Sequence, residues 1–222
     1  MVRPREHDES TRAALLAAAE QIVAERGAGA LSVRAVAGAA GTTTRAVYSL
    51  FGSKDGLLVE ALARDAFEFL HSEIGKLHET DDPASDLIDV GLLVFRRLVR
   101  DHPALYRIAF QRIVPGLEAG PELAATRQKA WEQLVAKVER LRPPGLLGEK
   151  PAPEAAVEFI AMMDGLGSAE LRGAVLRLLP EGNEEKAWHD ALTTVVRGWR
   201  PETERAGDAG PLAVDQGRES PV

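Results

Sequence analysis

Apolar residues recur at three- and four-residue spacing along almost the whole chain, while the alternation of a half-buried strand is nearly absent. This periodicity constrains the fold more than any other feature, because a helix with one apolar face must bury it against other helices. The chain is expected to be all-α. At 222 residues, 45% of them hydrophobic, it is long enough to bury a sizeable core. No stretch of about 20 residues is free of charge, which argues against a membrane-spanning helix. The amino terminus is charged throughout, without the apolar run of a secretory signal. The absence of cysteine excludes a disulfide framework, a thiolate metal site and a cysteine nucleophile, and makes the cytoplasm the expected compartment.

Turn and cap residues divide the pattern into about nine helices. The first opens near Asp8 to Ser10 and stops at Gly27; two short ones follow, Val33 to Ala40 and about Thr43 to Leu50. Ser53 caps a long fourth helix reaching Leu77. Pro83, Pro103 and Pro121 each suit a first helical position, giving helices to Asp101, Val114 and Leu141. The stretch from Arg142 to Pro153 holds four prolines and reads as a long loop. Two last helices run from Glu154 to about Leu179 and from Glu184 to Arg200, and the residues beyond Pro201 are too poor in apolar side chains to pack, so a disordered tail is expected. This gives three regions: an amino-terminal three-helix domain over 1–54, a larger helical domain over 55–200, and the tail over 201–222.

The segment from Leu31 to Lys54, LSVRAVAGAAGTTTRAVYSLFGSK, carries the chemistry. Two short helices joined by a tight turn need a small residue where their backbones cross and a glycine where φ is positive; Ala37 and Gly41, four apart, meet both needs. Val36, Ala40, Val47 and Leu50 then fall on faces that bury against the first helix. Thr43, Thr44, Arg45 and Tyr48 are left outside. This is a helix-turn-helix arrangement.

The net charge of −7 argues at first against a polyanionic partner. Counted locally, it does not. Between Arg26 and Lys54 stand four basic residues, Arg26, Arg34, Arg45 and Lys54, and no acidic one, and residues 1–60 balance seven basic against seven acidic side chains. The excess of acid lies in the remainder. Arg45, near the start of the third helix, suits a bidentate contact with guanine O6 and N7, and Thr44 a thymine methyl or base edge. Thr43 and Tyr48 offer hydroxyls to phosphates, as does Ser32, which also reads as a plain helix cap; Arg34 and Lys54 add phosphate-pairing cations. Three consecutive threonines are poor helix formers, so propensity does not recommend them here.

These residues resemble a family. The run RAALLAAA from Arg12, Gly27, the run LSVRAVA from Leu31, AGTT from Ala40, Val47-Tyr48, Phe51, and Ser53-Lys54-Asp55 with Leu57 are similar to the amino-terminal DNA-binding domain of TetR-family transcriptional regulators. Arg45 stands where many members have glycine, and Leu50 where many have an aromatic residue or histidine. The segment from Phe159 to Gly173 is similar to a helix of the WHG-type subgroup, with Asp164 in place of its histidine and its tryptophan absent. The resemblance implies a homodimer on a near-palindromic double-stranded operator, most often a repressor, released by a small, largely apolar effector. It implies no cofactor.

A ligand cavity is expected to be mostly apolar with a few polar groups. Candidate lining residues are Phe67, Leu70, Phe95, Tyr106, Phe110, Gln111, Trp131, Met162, Met163 and Asp164. A carboxylate such as Asp164 within an apolar helix needs a partner if buried, either a protein cation or a cationic group of the ligand. The last two helices present Leu166, Leu171, Val175 and Leu178, then Trp188, Leu192, Val195 and Trp199, more apolar surface than a chain end readily hides, so a four-helix dimer interface is expected there. The glycines at 165, 167 and 173 would permit close approach. Because the fourth helix begins at Lys54 and continues into the cavity wall, a ligand that tilts it would change the spacing of two recognition helices. A zinc-protease pair, phosphate-binding glycine loop, nucleophile elbow and dinucleotide fingerprint are all absent, so neither catalytic nor metal-ligating residues are expected. The rival reading is a helical partner-binding protein whose helix-turn-helix only packs.

Overall fold

The computed structural model describes residues 5–27, 30–51, 55–111, 120–173, 178–180 and 182–200, the side chains of 5–8 and 55–60 excepted. Every regular element among them is helical: α1 (Arg5–Arg26), α2 (Val33–Ala39), α3 (Thr44–Phe51), α4 (Asp55–Lys76), α5 (Pro83–Asp89, continuing through Val90–Phe95 and Arg96–Asp101), α6 (Pro103–Phe110), α7 (Pro121–Glu139), α8 (Ala152–Arg172) and α9 (Glu184–Gly198). The all-α expectation and the nine elements hold. No helix among the described residues is long and apolar enough to cross a membrane.

Helix ends follow local chemistry. Asp82 Oδ1 accepts from the Ala84 and Ser85 amides, 3.1 Å from each, and Pro83 begins α5 where its missing N–H costs nothing. Gly27 and Gly41 hold φ of 78° and 64°, as a chain reversal after α1 and α2 requires. Three boundaries differ from the sequence reading, one of them at α6, which stops at Phe110 with Gln111 as its cap and does not continue to Val114. α1 begins at Arg5, before the polar cluster taken as its cap. α8 ends at Arg172, not near Leu179, because Gly173 adopts φ 66° and its amide turns back to Ala169 and Glu170. The boundary drawn at residue 54 and the tail from 201 lie outside the described residues.

α5 is a single rod interrupted by a π-turn over Val90–Phe95, where the Arg96 amide reaches back to the Gly91 carbonyl. The widened turn brings Val90, Gly91, Val94 and Phe95 all to buried positions. Gly91 is the point of closest approach to α9: a Cβ there would lie 2.4 Å from Leu192 Cδ1.

Two parts of the core matter for function. Leu15, Ala19, Ile22 and Val23 of α1 pack with Val36 of α2 and Val47 of α3, each no more than 2% exposed, so α1 clamps the two short helices. In the larger part, Leu87, Leu98, Tyr106, Phe159, Trp188 and Leu192 are fully buried. The segment after α7 is a series of turns fastened by Arg142, which donates to the carbonyls of Gly148 and Lys150, and by the buried Leu147. Arg96 ties three elements together, its guanidinium pairing with Glu170 of α8 and Glu185 of α9.

Candidate nucleic-acid interface and apolar cavity

The α2–α3 pair presents opposite faces with opposite chemistry. Val33, Val36, Ala37, Val47 and Phe51 are buried, whereas Ser32, Arg34, Thr43, Thr44, Arg45 and Tyr48 are exposed, Tyr48 to 45%. Ala40 and Leu50 are only partly buried, because Phe51 takes the inner position expected of Leu50. The turn closes through the Thr42 amide to the Ala37 carbonyl, 2.9 Å. Ser32 Oγ accepts from the Ala35 amide and Thr43 Oγ1 from the Ala46 amide, both at 3.2 Å. A capping hydroxyl still has its own proton to donate, so neither cap is closed to a further acceptor. Thr44, Arg45 and Tyr48 occupy one exposed stretch of α3 at helical neighbour spacing. Lys54 lies outside the described residues.

The pair is joined to the rest of the chain through Arg12 of α1. Its guanidinium lies 5.6 Å from the centre of the Phe51 ring and 3.6 Å from Asp65 Oδ1 of α4. Burial pushes the Asp65 carboxyl above its ordinary pKa in spite of the opposing Arg12 charge. A second link runs from Glu20 of α1 to His102, which precedes α6, at 3.3 Å.

Beneath α4 lies a cavity of about 470 Å3. Phe67, Leu70 and Ile74 of α4, Val90 and Phe95 of α5, Ala109 and Phe110 of α6, Ala130, Trp131 and Leu134 of α7, and Ile160 and Met163 of α8 form its apolar wall. Among the described lining residues only Arg127 and Gln128 of α7 are polar. Phe110 anchors the aromatic side, 5.6 Å from Phe67 and 5.1 Å from Phe95 between ring centres.

Of the residues expected in a cavity, Phe67, Leu70, Phe95, Phe110, Trp131 and Met163 are brought together there. Tyr106, Asp164, Gln111 and Met162 are not. Tyr106 is fully buried behind the wall, stacked on Phe110 at 5.7 Å, and its hydroxyl donates to Asp164 Oδ1 at 2.6 Å. Burial, and then the Asp164 carboxylate beside it, push the Tyr106 phenol far above its ordinary pKa. The partner that Asp164 requires is thus a tyrosine of the same chain. Gln111 is exposed at the end of α6 and is not among the residues that line the cavity. Met162 points into a separate groove between α8 and α9. Arg127 and Gln128 were missed by the sequence reading; the available sign was a lone arginine one turn before Trp131, on the same face of α7.

The expected dimer residues also divide. Trp188 and Leu192 are 0% exposed and Trp199 only 5%, so all three are core of the single chain and present no surface to a second copy. Trp199 Nε1 donates to Glu158 at 2.6 Å. The reason is that α8 and α5 supply the apolar partner that the sequence alone does not show. Leu166, Leu171 and Val195 remain partly open, with Leu166 and Val195 lining the α8–α9 groove. Leu178 is 84% exposed beyond the end of α8, and Val175 lies outside the described residues. Gly167 does permit close approach, but to Val99 and Tyr106 within the chain.

Comparison with known proteins agrees with this geometry. Residues 15–61 match the family described as bacterial regulatory proteins, tetR family, and residues 91–195 the tetracyclin repressor-like C-terminal domain. The chain is 29% identical to the HTH-type transcriptional regulator TtgR of Pseudomonas putida over 74% of this chain and 81% of that protein. It shares a fold with the TetR family transcriptional regulator PfmR of Thermus thermophilus, TM-score 0.63 at 21% identity over 84% of this chain and 99% of that one. A transcriptional regulator of Saccharomonospora viridis in complex with choline superposes with TM-score 0.62, at 21% identity over 85% of this chain and 96% of that one. With both halves matched in order, the chain belongs to the TetR family of DNA-binding transcriptional regulators.

Proposed function

We propose that this protein is a repressor that holds a near-palindromic operator as a homodimer and lets go when a small, largely apolar effector fills the cavity. The supporting observation is the position of α4. Through Asp65 it meets Arg12, which rests on Phe51 of α3, and over the next two and a half turns the same helix gives Phe67, Leu70 and Ile74 to the cavity wall. A molecule that spreads the wall would act on the helix that carries α3, and release follows if it prefers the spread form. Two-fold symmetry with recognition helices one helical turn of DNA apart is what makes the operator near-palindromic. Leu166, Leu171 and Val195, with the groove between α8 and α9, are the surface assigned to the second copy. The working compartment is the cytoplasm.

On the operator, Thr44 and Arg45 read base edges while Ser32, Arg34, Thr43, Tyr48 and Lys54 hold phosphates. Mobility shift on operator fragments selected from a random pool tests this division. Arg45→Ala should cost about 1–3 kcal/mol and relax preference at one base pair. Arg34→Ala should instead weaken every sequence alike and lower the salt dependence by about one phosphate contact. Uniform weakening by both variants, or retention without sequence preference in the wild type, would refute the reading.

A further inference from the structure

The cavity also carries information about the charge of its occupant. Only one lining residue, Arg127, bears a charge, and no carboxylate lines the wall among the described residues. The other polar lining group, Gln128, has its amide nitrogen occupied by Glu132 of the next turn, 2.9 Å away. Arg127 has neither a hydrogen bond nor an ion pair among the described residues; its helical neighbours Leu123, Ala124, Ala130 and Trp131 carry no charge. Arg127 is exposed where it lines the apolar cavity, and with no counter-ion among the described residues its guanidinium is free to grip a planar anion with two parallel N–H donors. A cationic ligand would meet the opposite situation, repelled by Arg127 and offered no acid.

Shape narrows the class further. The walls include Phe67, Phe95, Phe110 and Trp131, with Phe95 nearly perpendicular to Phe110, an arrangement that receives flat rings by edge and face. A volume of about 470 Å3 lies in the range of sites for small organic molecules.

Resting on the effector reading above, we propose that the cavity takes an aromatic carboxylate, its rings among the phenylalanines and Trp131 and its anionic head on Arg127. In this chain the lining favours an anion.

The test uses the full chain and three forms of anthracene differing only in one substituent: a carboxylate, a hydroxymethyl and an aminomethyl group. Titration calorimetry should rank them acid, then alcohol, then amine, with the acid about tenfold tighter than the alcohol. Arg127→Ala should erase that advantage while leaving the alcohol unaffected, Arg127→Lys should restore part of it, and Arg127→Glu should turn the preference toward the amine. Circular dichroism of each variant checks that the helices persist. If the amine binds as tightly as the acid, or if Arg127→Ala leaves the acid's affinity unchanged, the anion assignment is wrong while the cavity stands as an effector site. If none of the three binds, the assignment is wrong and so is the cavity as an effector site for aromatic molecules, and DNA retention alone then decides the regulator reading.

Discussion

Replacing Tyr106 with phenylalanine removes one hydroxyl and nothing else from a fully buried ring. The ring contacts with Phe110 at 5.7 Å and Phe95 at 5.9 Å survive, so no cavity opens. What is lost is a hydrogen bond of 2.6 Å to the Asp164 carboxylate. A bond to a charged acceptor is worth about 1.5–3 kcal/mol, and the partial access of water to Asp164 reduces the expected loss to about 1–2 kcal/mol. Urea unfolding at fixed protein concentration should show a lower midpoint with an unchanged slope. A cycle with Asp164→Ala should then return a coupling of similar size. The same bond sets an alkaline limit. Because burial and Asp164 raise the folded phenol above its ordinary 10.0, the unfolded chain loses this proton first. Stability is therefore full below pH about 10 and falls above it, by up to about 1.4 kcal/mol per pH unit from this one group. Tyr106→Phe should flatten that alkaline slope. A variant within about 0.5 kcal/mol of wild type at neutral pH, or with the same alkaline slope, would refute the reasoning.

Two glycines of α8 should respond to alanine with opposite signs. At Gly167 a Cβ meets Val99 Cγ2 at 2.8 Å, and a β-branched side chain has little room to turn, so overpacking outweighs the helix propensity gained and about 1–2 kcal/mol is lost. At Gly165 nothing lies within 4 Å, and Gly165→Ala should stabilise by about 0.5–1 kcal/mol in the same denaturation assay. The acid limit should depend on Asp86, which is 5% exposed. Burial alone would raise its pKa, but bonds from Arg140 and from the Thr80 amide and hydroxyl hold it below its ordinary 3.8. Its stabilisation is thus present above pH about 4 and is lost as pH falls further, so Asp86→Asn should flatten the acid slope of the urea midpoint.

What the sequence reveals here depends on how far apart the interacting residues are. Helix-turn-helix chemistry is written within one short segment: Ala37, Gly41, Val36 and Val47 constrain one another across a few residues, and their burial matches their spacing. The apolar stripe of α9 is equally plain, but periodicity says only that a face is buried. It cannot say whether α5 and α8 or a second copy covers it, and so Trp188, Leu192 and Trp199, expected at a dimer interface, are found inside the single chain. The π-turn in α5 escapes notice for a related reason, since Val90–Phe95 reads as an ordinary helical run and its widened turn is fixed by the packing of α9 on Gly91. Asp164 is expected to meet a cation, yet its partner is the neutral hydroxyl of Tyr106, 58 residues away and itself expected in the cavity. Arg127 shows the converse. A cation on the exposed part of an amphipathic helix is the commonest of surface features, and only the convergence of α4, α5, α6 and α8 on Trp131, one turn further along, makes it part of an apolar chamber. A charge acquires meaning from what faces it, and on the proposal above Arg127, the one charged group among the described lining residues, is the complement of an anion carried on an apolar body.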